Sequence, residues 1–202
     1  VEDLLHERGI DICHETVRHW VDRFGTHFAH KTRRRRSERL IQSSQWQWHL
    51  DKVFVKIRCQ TNRLWRAVDH EGEVLESFVT KTRDKASVLR FMRKAMKRYS
   101  NPKVVVTGKC PSYRAARNMI GSERRQETGR HLNNHAENSH LPFRRRERAM
   151  SRFRQMRSLQ KFASIHSSVY NHFNHRRNIE SRARFKSLRD AALLEWRELI
   201  AA

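Results

Sequence analysis

Over 202 residues the chain carries 44 Lys and Arg against 21 Asp and Glu, a formal charge of +23, with only 37% hydrophobic residues. That length allows one medium core plus an appendage, and that charge points to a polyanionic partner, nucleic acid first and an acidic membrane surface second. No apolar run is long enough to span a bilayer and there is no signal-peptide core; Cys13, Cys59 and Cys110 are scattered without CxxC spacing, which argues against a disulfide framework or zinc ribbon and for a reducing compartment.

The chain opens at Val1 part-way through an amphipathic pattern, so an initiator methionine and an earlier helix are expected to be missing. Val1, Leu4 and Leu5 share one face of a short helix ending at Gly9, and residues 10–13 make a turn. Helical period resumes over 14–24: Val17, Trp20, Val21 and Phe24 form the inward stripe, Arg18, His19 and Arg23 point outward, and Gly25 sits where a C-terminal stop belongs. This is the plan of a DNA-reading helix-turn-helix, and equally of an ordinary helical hairpin. Residues 31–39, with Arg33, Arg34, Arg35 and Arg36, form a basic run with no apolar period. It reads as a linker or an arm laid on phosphates, against the usual solvated charge run.

From Trp46 the texture is β. One strand covers 46–58 and includes Asp51, Thr61-Asn62 supplies a turn, a second strand covers 64–68, residues 69–72 make a hairpin loop, and a third strand covers 74–80. Trp46, Trp48 and Trp65 are core or strand-face residues, with base stacking the minor alternative. Asp84 precedes a helix whose apolar face is Val88, Leu89, Met92, Ala95, Met96 and Tyr99, and Pro102 stops it. A strand over 103–107 ends at Gly108, a short helix lies around 114–120, and a long basic helical region opens at Asn133 with Glu137 in its first turns. Beyond Met150, Phe153, Met156, Leu159, Phe162, Ala163, Val169, Tyr170 and Phe173 keep helical spacing. A last helix over 187–200 is expected to bury Leu188, Ala191, Leu194 and Trp196 or their neighbours. Three antiparallel strands, a helix, a further strand and more helices give the order of an α/β, ribonuclease-H-like domain.

A strand acid (Asp51), a strand end (Gly108) and a helix acid (Glu137) follow one another in the order that suits a site holding two divalent cations for phosphoryl transfer on nucleic acid. Such a site wants a carboxylate at all three places, and the middle one is missing. Asp69 and Asp84 belong to a hairpin loop and a helix start, and Glu123 and Glu127 to a polar stretch, so none replaces it convincingly. His131 and His135 have i,i+4 spacing but no HExxH, in a chain with 13 histidines, so zinc is the minor reading.

The strings Trp48-His-Leu-Asp51-Lys-Val-Phe-Val-Lys56, Leu64-Trp-Arg-Ala-Val-Asp69 and Asn133-Asn-His-Ala-Glu137-Asn-Ser-His140 resemble the DDE transposases of bacterial insertion sequences, within them the insertion-sequence-six family. Phe153-Arg-Gln-Met-Arg-Ser-Leu-Gln-Lys-Phe-Ala163 continues the match. The resemblance implies a ribonuclease-H-like core with an N-terminal helix-turn-helix and C-terminal helices. It divides the chain into a DNA-binding segment over 1–28, a basic linker over 29–45, the core over 46–175 and a helical tail over 176–202. It also implies catalytic acids at Asp51, position 108 and Glu137, with Asp51 and Glu137 as ligands of two Mg²⁺ ions. Arg144 would stand beside the scissile phosphate: it follows Glu137 by seven residues, nearly the same face of a continuous helix, though Pro142 intervenes to break or bend it. Double-stranded DNA is the implied partner, as terminal inverted repeats and target, bound by a homodimer or larger assembly in the bacterial cytoplasm and not at a membrane.

In this family the second acid is expected where Thr107-Gly108-Lys109 stands. Glycine offers only a neutral backbone carbonyl. A lost metal ligand costs several kcal/mol of transition-state stabilisation, and ~4 kcal/mol is about three decades of rate. The expectation is a transposase with impaired strand cleavage and transfer, or a non-catalytic remnant that occupies inverted repeats. A basic RNA-binding or architectural protein leaves the Asp51 and Glu137 contexts unexplained.

Overall fold

Alternation of apolar and polar residues beyond position 46 builds three long antiparallel strands, β1 (Gln47–Ile57), β2 (Gln60–Asp69) and β3 (Val74–Thr80). The structure, a computed structural model, describes residues 6, 7, 9–42, 47–108, 112–113, 125–129, 132–150, 153–175 and 179–201. Two short strands, β4 (Val104–Thr107) and β5 (Arg125–Glu127), complete a sheet of order β3-β2-β1-β4-β5, with β4 parallel to both β1 and β5. The helices are α1 (His14–Gln42), α2 (Lys85–Tyr99), α3 (Asn134–Ala149), α4 (Met156–Phe173) and α5 (Arg182–Ala201).

Period-two alternation splits the core into two layers. On one side Trp48, Leu50, Trp65, Ala67 and Val105 pack on Val88, Leu89, Phe91, Met92 and Ala95 of α2. On the other, Val53, Val55, Ile57, Leu64 and Val79 meet Phe143 of α3 and Leu159 and Ala163 of α4. Asp84 starts α2 by accepting the Ser87 amide at 2.6 Å. Trp48 and Trp65 are core residues, at 1% and 0% exposure.

Several elements differ from the sequence reading. The β1–β2 turn is at Arg58 and Cys59, both at positive φ (46° and 65°), with Ile57 facing Gln60. Asn62 instead lies buried in β2 and donates to the Gln60 carbonyl. The expected stop at Gly25 and the linker from 29 are absent, because α1 runs unbroken from His14 to Gln42. Gly25 is a contact glycine: a Cβ there would fall 2.9 Å from Ile165 Cδ1 of α4. Along the same seam the Ser168 hydroxyl donates to the Ala29 carbonyl, and Lys161 reaches Asp22 at 2.9 Å.

The seam therefore uses small residues, while Trp20, Val21 and Phe24, expected inside, are 44–48% exposed. In α5 the buried residues are Ala192 and Leu199; Leu194 is 58% exposed. Expectations on residues 1–5 and on the helix around 114–120 fall outside the described residues. Among the described residues no helix is long and apolar enough to cross a membrane.

A buried and a half-buried imidazole, His49 and His166, tie this packing to pH. Burial, reinforced by His135, lowers His49 from 6.5 to about 4; burial, reinforced by Arg66 and Arg146, does the same to His166. Both are neutral in the folded chain, so between pH 6.5 and 4 the unfolded state binds more protons and stability falls as pH falls. The urea midpoint should drop through that window, and drop less steeply in a chain carrying His49→Asn and His166→Phe.

Candidate active site

Parallel pairing sets Leu50 of β1 beside Thr107 of β4. Continued one residue, that register brings Asp51 beside Gly108, with both Cβ positions on the α3 face of the sheet, since Leu50 and Val105 belong to the α2 face. Helix α3 crosses this face. Its residues Asn133 (the N-cap), Glu137, His140 and Arg144 recur at spacings of four, three and four, which places them on one stripe.

Three of those four side chains are fastened to β1. Asn133 Nδ2 donates to the Leu50 carbonyl at 3.3 Å, His140 Nε2 is 2.9 Å from Asp51 Oδ2, and Arg144 Nη2 donates to the Phe54 carbonyl at 2.5 Å. The fourth, Glu137, is exposed in the first turn of α3, where a carboxylate is favoured by the helix dipole. Asp51 is partly buried, its side chain 22% exposed. Glu137 is thus held on the Asp51 side of the sheet by contacts four residues before it and three after. Pro142 does not end α3.

Beneath the stripe lies Arg66, paired with Asp51 in the β1–β2 register and 1% exposed. Its Nη1 donates to the Ser139 carbonyl at 2.6 Å and its guanidinium lies 5.9 Å from the Phe143 ring centre. Burial lowers it to about 10, so it stays charged at neutral pH. Asn133, His140 and Arg66 were not singled out from the sequence as site residues. His140 had a signal, since it lies one helical turn after Glu137.

The other predicted residues divide. Arg18 is exposed and pairs with Glu15 at 3.3 Å; His19 is exposed; Arg23 is exposed, 5.4 Å from the Phe24 ring centre; Arg34 pairs with Glu38 at 3.1 Å. Arg35 is 3.7 Å from Glu198. Arg33 and Arg36 do not form a free arm. Arg33 donates to Ser164 and Ser168 of α4, and Arg36 joins Asp69 and Glu73. Arg144, expected beside a phosphate, is engaged by Phe54 and Glu147.

Among the described residues no other carboxylate stands beside position 108. Asp84 caps α2, its carboxyl lowered to about 2 by hydrogen bonds from Thr82 and Ser87. Asp69, Glu71 and Glu73 form the one cluster of metal-ligating type among the described residues, and the Arg36 guanidinium already serves Asp69 and Glu73 as a cation. Glu127 lies in β5 opposite Val106, two residues short of the level of Gly108. Glu123 and His131 lie outside the described residues. His135 packs on His49, with ring centres 4.9 Å apart. Asp51 and Glu137 are hard oxygen donors of the kind that suits Mg²⁺ or Mn²⁺. The donor set therefore fits a divalent cation at two of three positions.

Residues 45–176 match the family model DDE_Tnp_IS240, described as a DDE domain. The chain belongs to the DDE transposase family of bacterial insertion sequences. Among relatives of this chain is the transposase for insertion sequence-like element IS431mec of Staphylococcus aureus strain Mu50, 26% identical over 145 residues. The transposase for insertion sequence element IS257 in transposon Tn4003, also from Staphylococcus aureus, is 26% identical over 145 residues. Each alignment covers 69% of this chain and 62% of the relative, so the chain spans about three fifths of the length of these curated relatives.

In fold it is similar to a chain of the simian T-cell lymphotropic virus intasome in complex with PP2A regulatory subunit B56 gamma. The TM-score is 0.52 at 15% identity, over 68% of this chain and 52% of that one. It is also similar to the HTLV-2 integrase catalytic core domain in complex with magnesium, with TM-score 0.51 at 13% identity over 70% of this chain and 95% of that one. The transposase fold is ribonuclease-H-like.

Among the described residues, a Cβ built on Gly108 meets nothing within 4 Å. Its backbone lies outside the left-handed region that favours glycine. Gly108→Asp is therefore expected to fold with stability within about 1 kcal/mol of the native chain, as thermal and urea denaturation would register.

Proposed function

We propose that this chain is an insertion-sequence transposase that binds terminal inverted repeats, and that its metal-dependent strand cleavage and transfer are impaired by Gly108. The supporting observation is the meeting of Asp51, position 108 and the Glu137 stripe of α3 on one face of the sheet. The magnesium in the HTLV-2 integrase core supports a divalent cation for the same type of fold.

Asp51 and Glu137 would hold the cations. Two such ions, when bound, activate the attacking oxygen and stabilise the leaving oxygen of an in-line displacement at phosphorus. Asp51 contributes from a strand that cannot shift without breaking the sheet, and Glu137 from a helix tied to that strand. The scissile phosphate would lie over their shared face, with the attacking hydroxyl opposite the leaving oxygen. Arg144 would have to exchange its Phe54 carbonyl for a phosphate oxygen, an exchange favoured by the stronger hydrogen bond to a charged acceptor. Position 108 supplies no carboxylate, so one coordination position is unfilled from the protein.

DNA is the natural counter-charge to a +23 chain, and Arg18, Arg23 and Arg34 of α1 are among the exposed cations that could meet it. The helix-turn-helix reading of the N-terminal segment, a dimer or larger complex on DNA, and action in the bacterial cytoplasm belong to this proposal. A second reading, favoured by Gly108 itself, is a non-catalytic DNA-binding remnant that occupies inverted repeats.

Two measurements separate the readings. Strand cleavage of inverted-repeat DNA with Mg²⁺ or Mn²⁺ should be roughly three decades slower in the native chain than in Gly108→Asp, the equivalent of ~4 kcal/mol. Cleavage by the native chain at a rate equal to the variant would refute the impairment, and inactivity of both favours the remnant. Affinity for inverted-repeat DNA should exceed that for random DNA at the same salt; purely nonspecific binding would instead collapse with salt as counterions are released.

A further inference from the structure

Asp51 and Glu137 stand on different elements, and one imidazole links the two. His140 follows Glu137 by three residues on α3, and its Nε2 lies 2.9 Å from Asp51 Oδ2. Its other ring nitrogen, Nδ1, is buried and has no partner among the described residues. A neutral imidazole carries a single N–H. The carboxylate is the acceptor within reach, so the proton belongs on Nε2 and His140 donates to Asp51.

That donation has two consequences. It occupies Oδ2 and leaves Oδ1 without a partner among the described residues, so it favours Oδ1 as the oxygen Asp51 turns toward a cation. It also joins the rotation of the Asp51 carboxylate to the placement of α3. The ring is not free to swing away, because its side chain is only 11% exposed and the preceding residue is clamped by Arg66 at the Ser139 carbonyl. With two carboxylates where three are needed, cation affinity rests more heavily on how well each is aimed.

We propose that His140 is a positioning residue of the cation site: by donating from Nε2 to Asp51 Oδ2 it aims Oδ1 at the ion and locks the strand acid to the helix that carries Glu137. This rests on the reading that Asp51 and Glu137 hold a divalent cation. A hydrogen-bonding partner behind a metal ligand typically contributes 10–100-fold in metal affinity.

The test is Mn²⁺ binding to the full 202-residue chain, followed by electron paramagnetic resonance at fixed neutral pH and salt. It is run in the native and Gly108→Asp backgrounds, with Asp51→Asn defining the Asp51-dependent part. His140→Leu fills the space without a donor and should weaken that part about 10–100-fold. His140→Gln fills it with an N–H donor and should keep most of it, with both variants compared at matched thermal stability. Equal affinity in Leu and native chains, or equal loss in Leu and Gln, overturns the positioning role while the Asp51 dependence still stands. If Asp51→Asn changes Mn²⁺ binding in neither background, the cation reading fails and this proposal falls with it.

Discussion

The polar fastening of α3 to β1 is the constraint on which the site depends. Ala136, Ser139 and Phe143 give the helix its buried side, but apolar burial alone is non-directional and would tolerate sliding. Asn133 and Arg144 bond backbone carbonyls of Leu50 and Phe54, and carbonyls along a strand point alternately to opposite sides. A helix displaced by one strand residue would lose both acceptors at once. The tethers lie at the two ends of the Asp51 segment, so the register they impose is the one that matters for Glu137. Arg66 adds a third hold from below, at the Ser139 carbonyl. A fully buried arginine is costly unless its donors are used, and here Nη1 is used by the Ser139 carbonyl, two residues after Glu137.

The same accounting changes how the basic composition is read. Part of the positive charge is matched within the fold. Arg36 is matched by Asp69 and Glu73, and Lys94 and Arg98 share the buried carboxylate of Glu76. Arg33 lies against serines of α4, and burial lowers its guanidinium from the usual range. Arg33 and Arg36 thereby join α1 to the core rather than to a phosphate backbone. The outward cations of α1 lie on the same helix as the exposed Trp20, Val21 and Phe24. The basic run is therefore two-sided: residues 33 and 36 face inward, and residue 34 faces solvent.

Where a segment's own periodicity decides its structure, the sequence was a good guide. Strand β3 was read at its observed bounds, α2 carries its apolar face and its aspartate cap as expected, and the spacing of Glu137 and Arg144 put them on one side of α3 as found. Where a contact from elsewhere decides, the reading failed. Gly25 looks like a helix stop because glycine commonly is one, yet here it admits Ile165. The arginine run has no apolar period, but Ala29, Thr32, Arg33 and Arg36 keep helical spacing, and it is α4 that makes this polar stripe a packed face. The turn at Arg58 and Cys59 lacks the glycine or asparagine that left-handed backbone prefers, so Asn62 drew the prediction instead. Strand β5 is three residues long and polar, and only pairing with β4 makes it a strand. At the candidate site, Asp51 and Glu137 were picked out by their sequence contexts as candidates, whereas the link through His140 required β1 and α3 to be side by side.

Position 108 shows how chemistry and fold can come apart in such a domain. A catalytic acid at a strand tip faces the reacting group rather than the core, so it contributes little to packing. Here a Cβ would meet none of the described residues within 4 Å, the backbone lies outside the left-handed region that favours glycine, and the neighbouring pairs Leu50–Thr107 and His49–Val106 are formed. The presence or absence of a carboxylate at this position therefore makes little difference to the sheet and the tethered helix. Acids near each other in an empty metal site repel, so losing one also relieves electrostatic strain. Among the described residues, the contacts that fasten α3 to β1 run through Asn133, His140 and Arg144 rather than residue 108, so the fold of this face does not depend on which side chain stands there.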